Sequence, residues 1–151
     1  MPKTLAQACT PRPSVFDPTV RDTVYNIDDL NQIDARQFFA ENYVTQGMRQ
    51  LLTEAFARLN GNQTAPGAFL LSQSMGGGKT HNLLALGLLA RHPDLRPAVM
   101  SDLPAGVGPV RVVTFSGRKT NTPFGLWGEI AAQLGRQHAF NDFYSPLKRL
   151  V

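Results

Sequence analysis

Residues 68–81 read Ala-Phe-Leu-Leu-Ser-Gln-Ser-Met-Gly-Gly-Gly-Lys-Thr-His. The apolar run at the front predicts a short buried strand over 68–72. The Gly-rich segment predicts a tight turn. The Leu-rich stretch behind it, carrying Leu83, Leu84, Leu86, Leu88 and Leu89, predicts a helix over 79–91. That helix is apolar nearly all round, so it is expected to pack on a sheet.

Working outward, Val110 to Phe115 reads as a second strand, and the two strands are expected to lie parallel. Pro123 suits a helix start, with Trp127, Ile130, Ala131 and Leu134 on its core face. On the other side, Asp34 is placed to cap a short helix through Tyr43. Thr45 is placed to cap a longer one with Met48, Leu51, Leu52, Ala55, Phe56 and Leu59 at helical spacing. Gly61 stops it. Residues 92–109 form a Pro/Gly-rich connector. The expected fold class is α/β: an incomplete P-loop NTPase core of the AAA type. Its expected parts are an extended arm (1–33), a helical segment (34–61) and the N-terminal part of an ATPase domain (62–151).

The chain has 151 residues, 42% of them hydrophobic and 17% charged. That composition excludes disorder. No apolar run of about 18 residues is present, and the N-terminus lacks a secretory h-region. One cysteine, Cys9, allows neither an internal disulfide nor a cysteine zinc site. A cytoplasmic protein without membrane contact is expected. Net charge is +4. Residues 61–151 carry nine basic and four acidic residues, against six and seven in 1–60. A basic second half is compatible with an anionic ligand, and equally with a scattered, solvated surface.

The segment Gln73-Ser74-Met75-Gly76-Gly77-Gly78-Lys79-Thr80 fits the second half of the phosphate-loop pattern. Glycines admit backbone conformations closed to other residues. Successive N–H groups then converge on phosphate oxygens at a helix N-terminus. Lys79 is placed to stabilise the phosphates, and the Thr80 hydroxyl to ligate Mg²⁺. His81 follows in the first helical turn, near nucleotide or in a structural role. One departure stands out: Gln73 occupies the place of the first pattern glycine.

A rival reading sees a hydrolase nucleophile elbow, with Ser74, Asp102 and His138 in chain order. It leaves Lys79-Thr80 unexplained. A hydrolysing ATPase also needs an acidic strand end to hold Mg²⁺ and prepare water. Val110–Phe115 ends in Ser116-Gly117-Arg118 instead, and Pro97 to Asp102 is the nearest imitation. Arg118 and Lys119 read as a solvated loop, with phosphate or a partner as the alternative. Trp127 reads as core and Asp28-Asp29 as a solvated turn.

These residues resemble the N-terminal part of a family of prokaryotic AAA-type ATPases catalogued as domain of unknown function 499. The resemblance rests on Tyr43-Val44-Thr45, Arg58-Leu59-Asn60-Gly61, Gly76 to His81, and Thr122-Pro123-Phe124-Gly125-Leu126-Trp127-Gly128. It implies an ATP- and Mg²⁺-binding protein, encoded beside DNA-modification or phage-defence proteins. It also implies a longer parent ATPase whose acidic motif follows Val151. A non-catalytic nucleotide-binding or interaction module is the alternative. Direct nucleic-acid contact and oligomerisation of the parent stay open.

A half-built phosphoryl-transfer site loses most of its rate. The purified chain is therefore expected to release phosphate from ATP no faster than its Lys79→Ala variant. Turnover that disappears in the variant would reveal an acid among residues 81–151, with Asp102 the first suspect.

Overall fold

The computed structural model describes residues 4, 25–72, 76–118, 121–122 and 124–147, leaving aside the side chains of 144–147. Among the described residues run six α-helices: α1 (Ala35–Glu41), α2 (Gln46–Leu59), α3 (Lys79–Arg91), α4 (Arg96–Val99), α5 (Gly125–Gln133) and α6 (Gln137–Leu147). Two 3-10 turns, Ile27–Asp29 and Pro93–Leu95, complete the order.

The first two helices begin where local chemistry directs. The Asp34 carboxylate accepts from the Arg36 and Gln37 N–H groups, and the Thr45 hydroxyl from Met48 N–H. These are N-cap bonds of the usual type. Helix α2 turns Met48, Leu51, Leu52, Ala55 and Phe56 inward. Of these, Met48, Leu52 and Phe56 join Leu84, Leu88 and Leu89 of α3 in one cluster with Phe38 of α1. Phe38, Phe56, Leu52, Leu84, Leu88 and Leu89 are the largest fully buried side chains. Helix α3 is the axis of the structure, packing against α1, α2 and both 3-10 turns. At Gly87 the 3-10 segment comes so close that an added Cβ would stand 2.9 Å from Leu30 Cδ2.

The expected α/β P-loop fold is not what forms. Among the described residues there is no strand. Segments 68–72 and 110–115 are extended but unpaired in any ladder, so the expected parallel pairing is absent. Leu70 is 90% exposed, the reverse of a buried strand residue. The 110–115 backbone finds its partners on helices. Val110 N–H donates to Ala90 O at 3.0 Å, and Arg91 Nη2 donates to Val112 O at 3.1 Å. Thr114 exchanges two bonds with the Gln133 amide, at 3.0 and 2.6 Å. An apolar groove of about 400 Å³, lined by Phe69, Leu86 and Val112 among others, lies along these segments. Two short extended pieces cannot close a sheet alone.

Other expectations are corrected too. Trp127 is 69% exposed, because α5 buries only Gly128 and Ala131. The connector 92–109 is not merely irregular. It carries Pro93–Leu95 and α4 and buries Leu95, Met100, Leu103 and Val107. Pro97 to Val99 is helical, so the imitation of an acidic strand is withdrawn. Behind α5 the chain continues as α6.

Arg96 fastens the connector to α3. It is 3% exposed, and none of its partners is a carboxylate. Its Nε donates to Leu89 O at 2.8 Å, and its Nη2 to Ala90 O at 3.1 Å and Gly108 O at 3.2 Å. Its Nη1 donates to Val107 O. The guanidinium lies over the Phe56 ring, 4.7 Å from its centroid. Burial lowers its pKa from the ordinary arginine value. The ordinary value is so high that the group keeps its charge.

Without this side chain the Leu89 and Val107 carbonyls lose their buried partner, and each orphaned buried carbonyl costs about 1–3 kcal/mol. Arg96→Met is therefore expected to lower unfolding stability by about 3 kcal/mol or more, read from the urea midpoint. A loss under about 1 kcal/mol would mean that the carbonyls find other partners.

Candidate functional site

Helix α3 starts directly on the Gly-rich segment. Gly76 has φ 81° and Gly78 has φ 77°. Both lie in the left-handed region, where a Cβ is penalised. Gly78 occupies the N-cap and has no side chain to cap with. The first bond of the helical ladder is Asn82 N–H to Gly78 O at 2.9 Å. The N–H groups ahead of it belong to the helix end, which carries partial positive charge. Lys79 is half-buried and Thr80 exposed on that first turn. Gln73, Ser74 and Met75 lie outside the described residues, as does Lys119.

Thr80 borders a cleft of about 740 Å³. Tyr25, Asn26, Ile27 and Asp28 form one wall, and Ser116 and Arg118 stand on another. The exposed Arg118 has its N–H turned back to Ser116 Oγ at 3.4 Å. Asp28 is half-buried, and its N–H is held by Asn26 Oδ1 at 3.2 Å. The expected solvated turn at Asp28-Asp29 is thus a 3-10 turn with one carboxylate in the cleft and Asp29 exposed. The wall 25–28 was not legible as site. It lies some fifty residues before Thr80 and matches no motif.

His81 does not line the cleft. Its Nε2 is 2.6 Å from Asn42 Oδ1. The Asn42 amide donates its Nδ2 to Phe38 O at 2.7 Å, which leaves Oδ1 as the acceptor. The proton of that pair is therefore on His81 Nε2. The imidazole also lies 5.1 Å from the Phe38 ring and 5.8 Å from Tyr25, centroid to centroid.

The hydrolase constellation is not assembled. Asp102 is engaged by Arg49 of α2 at 3.3 Å, and His138 is exposed on α6. Ser74 lies outside the described residues. Among those residues no group of three His, Cys, Asp or Glu could hold a metal ion. No helix among them is long and apolar enough to cross a membrane.

The DUF499 N-terminal domain model matches residues 14–102, and the chain belongs to that family. The matched span covers the 25–28 wall and the Gly-Lys-Thr loop and ends before Ser116 and Arg118. No curated protein and no solved structure matches the chain.

A Cβ at Gly78 would meet nothing within 4 Å, so substitution there is opposed by backbone conformation alone. Gly78→Ala is expected to cost about 1–2 kcal/mol. Gly117→Ala, also in open space but without a positive φ, is the control and should stay within about 0.5 kcal/mol of wild type. Equal thermal denaturation midpoints for the two variants would show that residue 78 leaves the left-handed region at no cost.

Proposed function

We propose that the loop 76–80 binds the phosphates of Mg-ATP, with Lys79 on the phosphate oxygens and Thr80 on the metal ion. The observation that carries this reading is the pair of left-handed glycines set directly before the helical turn of Lys79 and Thr80. Such a turn turns N–H groups and the positive helix end toward an anion. Two features support it. The adjoining cleft carries a cation, Arg118, and the polar groups of Asn26 and Ser116. The resemblance of the Gly-Gly-Gly-Lys-Thr-His block supports ATP over other phosphate esters.

The residues fit the metal through oxygen ligands, as Mg²⁺ requires: the Thr80 hydroxyl, ligand phosphates and water. Bound Mg²⁺ would offset phosphate charge. Binding, rather than turnover, is the activity proposed for these residues, because among the described residues no acidic strand end accompanies the loop. By the same resemblance, the parent protein would couple ATP to work beside DNA-modification or defence proteins.

Calorimetric titration of the full chain with Mg-ATP tests the reading. Lys79→Ala removes charge-assisted hydrogen bonds and is expected to weaken affinity about 10- to 150-fold. Equal affinity in wild type and variant overturns the assignment.

A further inference from the structure

The cleft has walls drawn from distant parts of the chain, and the 25–30 segment is pinned to α3 at two points. Its far end is fixed by Leu30, 3% exposed and seated against Gly87. Its near end, Tyr25, rests at 5.8 Å on the His81 ring and at 5.3 Å on Phe38. The two anchor positions on α3 are six residues apart, about 9 Å along the axis. Asn26, Ile27 and Asp28 lie between the pins and face the cleft. The Leu30 pin belongs to the core. The Tyr25 pin rests on the buried Phe38 ring and on a half-buried imidazole, itself oriented by Asn42.

We propose that His81 is a positioning residue that fixes the Tyr25–Asp28 wall relative to the phosphate loop and thereby sets affinity for the nucleoside end of the ligand. The inference rests on the phosphate-binding reading above. A cleft of about 740 Å³ exceeds the needs of a phosphate group and falls in the range of small-molecule sites. Tyr25 and Ile27 offer apolar surface to a heteroaromatic base, and Asn26 and Asp28 offer polar groups to a base edge or ribose hydroxyls. A ligand with two chemically different ends gains full affinity only if both walls are held in advance at the right separation. His81 adjoins Thr80 in the chain and touches Tyr25 in space, so it ties the two walls together without contacting the ligand.

The test compares Mg-ATP with Mg-tripolyphosphate, which has the phosphates and no nucleoside, by calorimetry on the full chain. His81→Ala removes one hydrogen bond and two ring contacts, with Tyr25 and Phe38. It is expected to weaken ATP about tenfold and to leave tripolyphosphate within about twofold. Asn42→Ala breaks the same hydrogen bond from outside α3 and is expected to shift ATP in the same direction by a smaller factor. Lys79→Ala should weaken both ligands. Equal weakening of ATP and tripolyphosphate by His81→Ala would make the residue a support of the loop itself and overturn the proposal, as would no change in either. If His81→Ala loses its helical circular dichroism, Asn42→Ala decides, and unchanged ATP affinity there overturns the proposal. Wild-type chain that binds tripolyphosphate but gains nothing from the nucleoside overturns this inference alone. Wild-type chain that binds neither ligand overturns the phosphate-binding reading beneath it.

Discussion

A buried guanidinium fastens the connector to the end of α3. Arg96 gathers carbonyls from the end of α3 and from residues 107–108 into one fork. A helix C-terminus exposes carbonyls that carry partial negative charge. A cation there answers the dipole and the hydrogen-bond deficit together. The usual objection to a buried charge is its lost hydration. Here each of the three guanidinium nitrogens has a carbonyl partner, and the aromatic face of Phe56 covers the remainder. With 107–108 fixed, Val110 N–H reaches Ala90 O, and the extended segment that leads to Ser116 and Arg118 takes its course from that bond.

The same helix therefore serves two chemistries at its two ends. Its C-terminal carbonyls are answered by an arginine from its own chain, while its N-terminus opens on glycines and Thr80. Between them lies a face that must be smooth, because Leu30 occupies the space a side chain at residue 87 would need. The cleft wall at 25–28 thus inherits its position from the core. Phe38, Tyr25 and His81 form an aromatic seam at the other end of that wall. Site and core share a single helix, so their geometries are set together.

Legibility in the sequence followed the range of the interactions involved. Helices α2 and α3 could be read because their caps, apolar spacing and glycine boundaries lie within a few residues of one another. The glycine turn that opens α3 was legible for the same reason. The extended segments were not. Phe69-Leu70-Leu71 and Val110 to Phe115 declare an apolar, extended chain, but a ladder needs a partner, and no local pattern says whether one is present. Trp127 misled similarly: helical spacing defines a face without supplying what covers it. The wall at Tyr25–Asp28 and the role of Arg96 rest on contacts between distant or weakly patterned residues, so neither was visible in advance.

The two bonds between Gln133 and Thr114 carry a further consequence. The Gln133 amide accepts from Thr114 N–H and donates to Thr114 O, and its Nε2 also donates to Glu129 Oε1 at 3.2 Å on its own helix. Helices α5 and α6 pack chiefly on each other. Only Gly128 and Ala131 of α5 are buried. Among the described residues this amide clasp is a main tie between the C-terminal pair and the α3-centred body. Few buried contacts of this kind favour sub-global opening ahead of the unfolding of a whole chain.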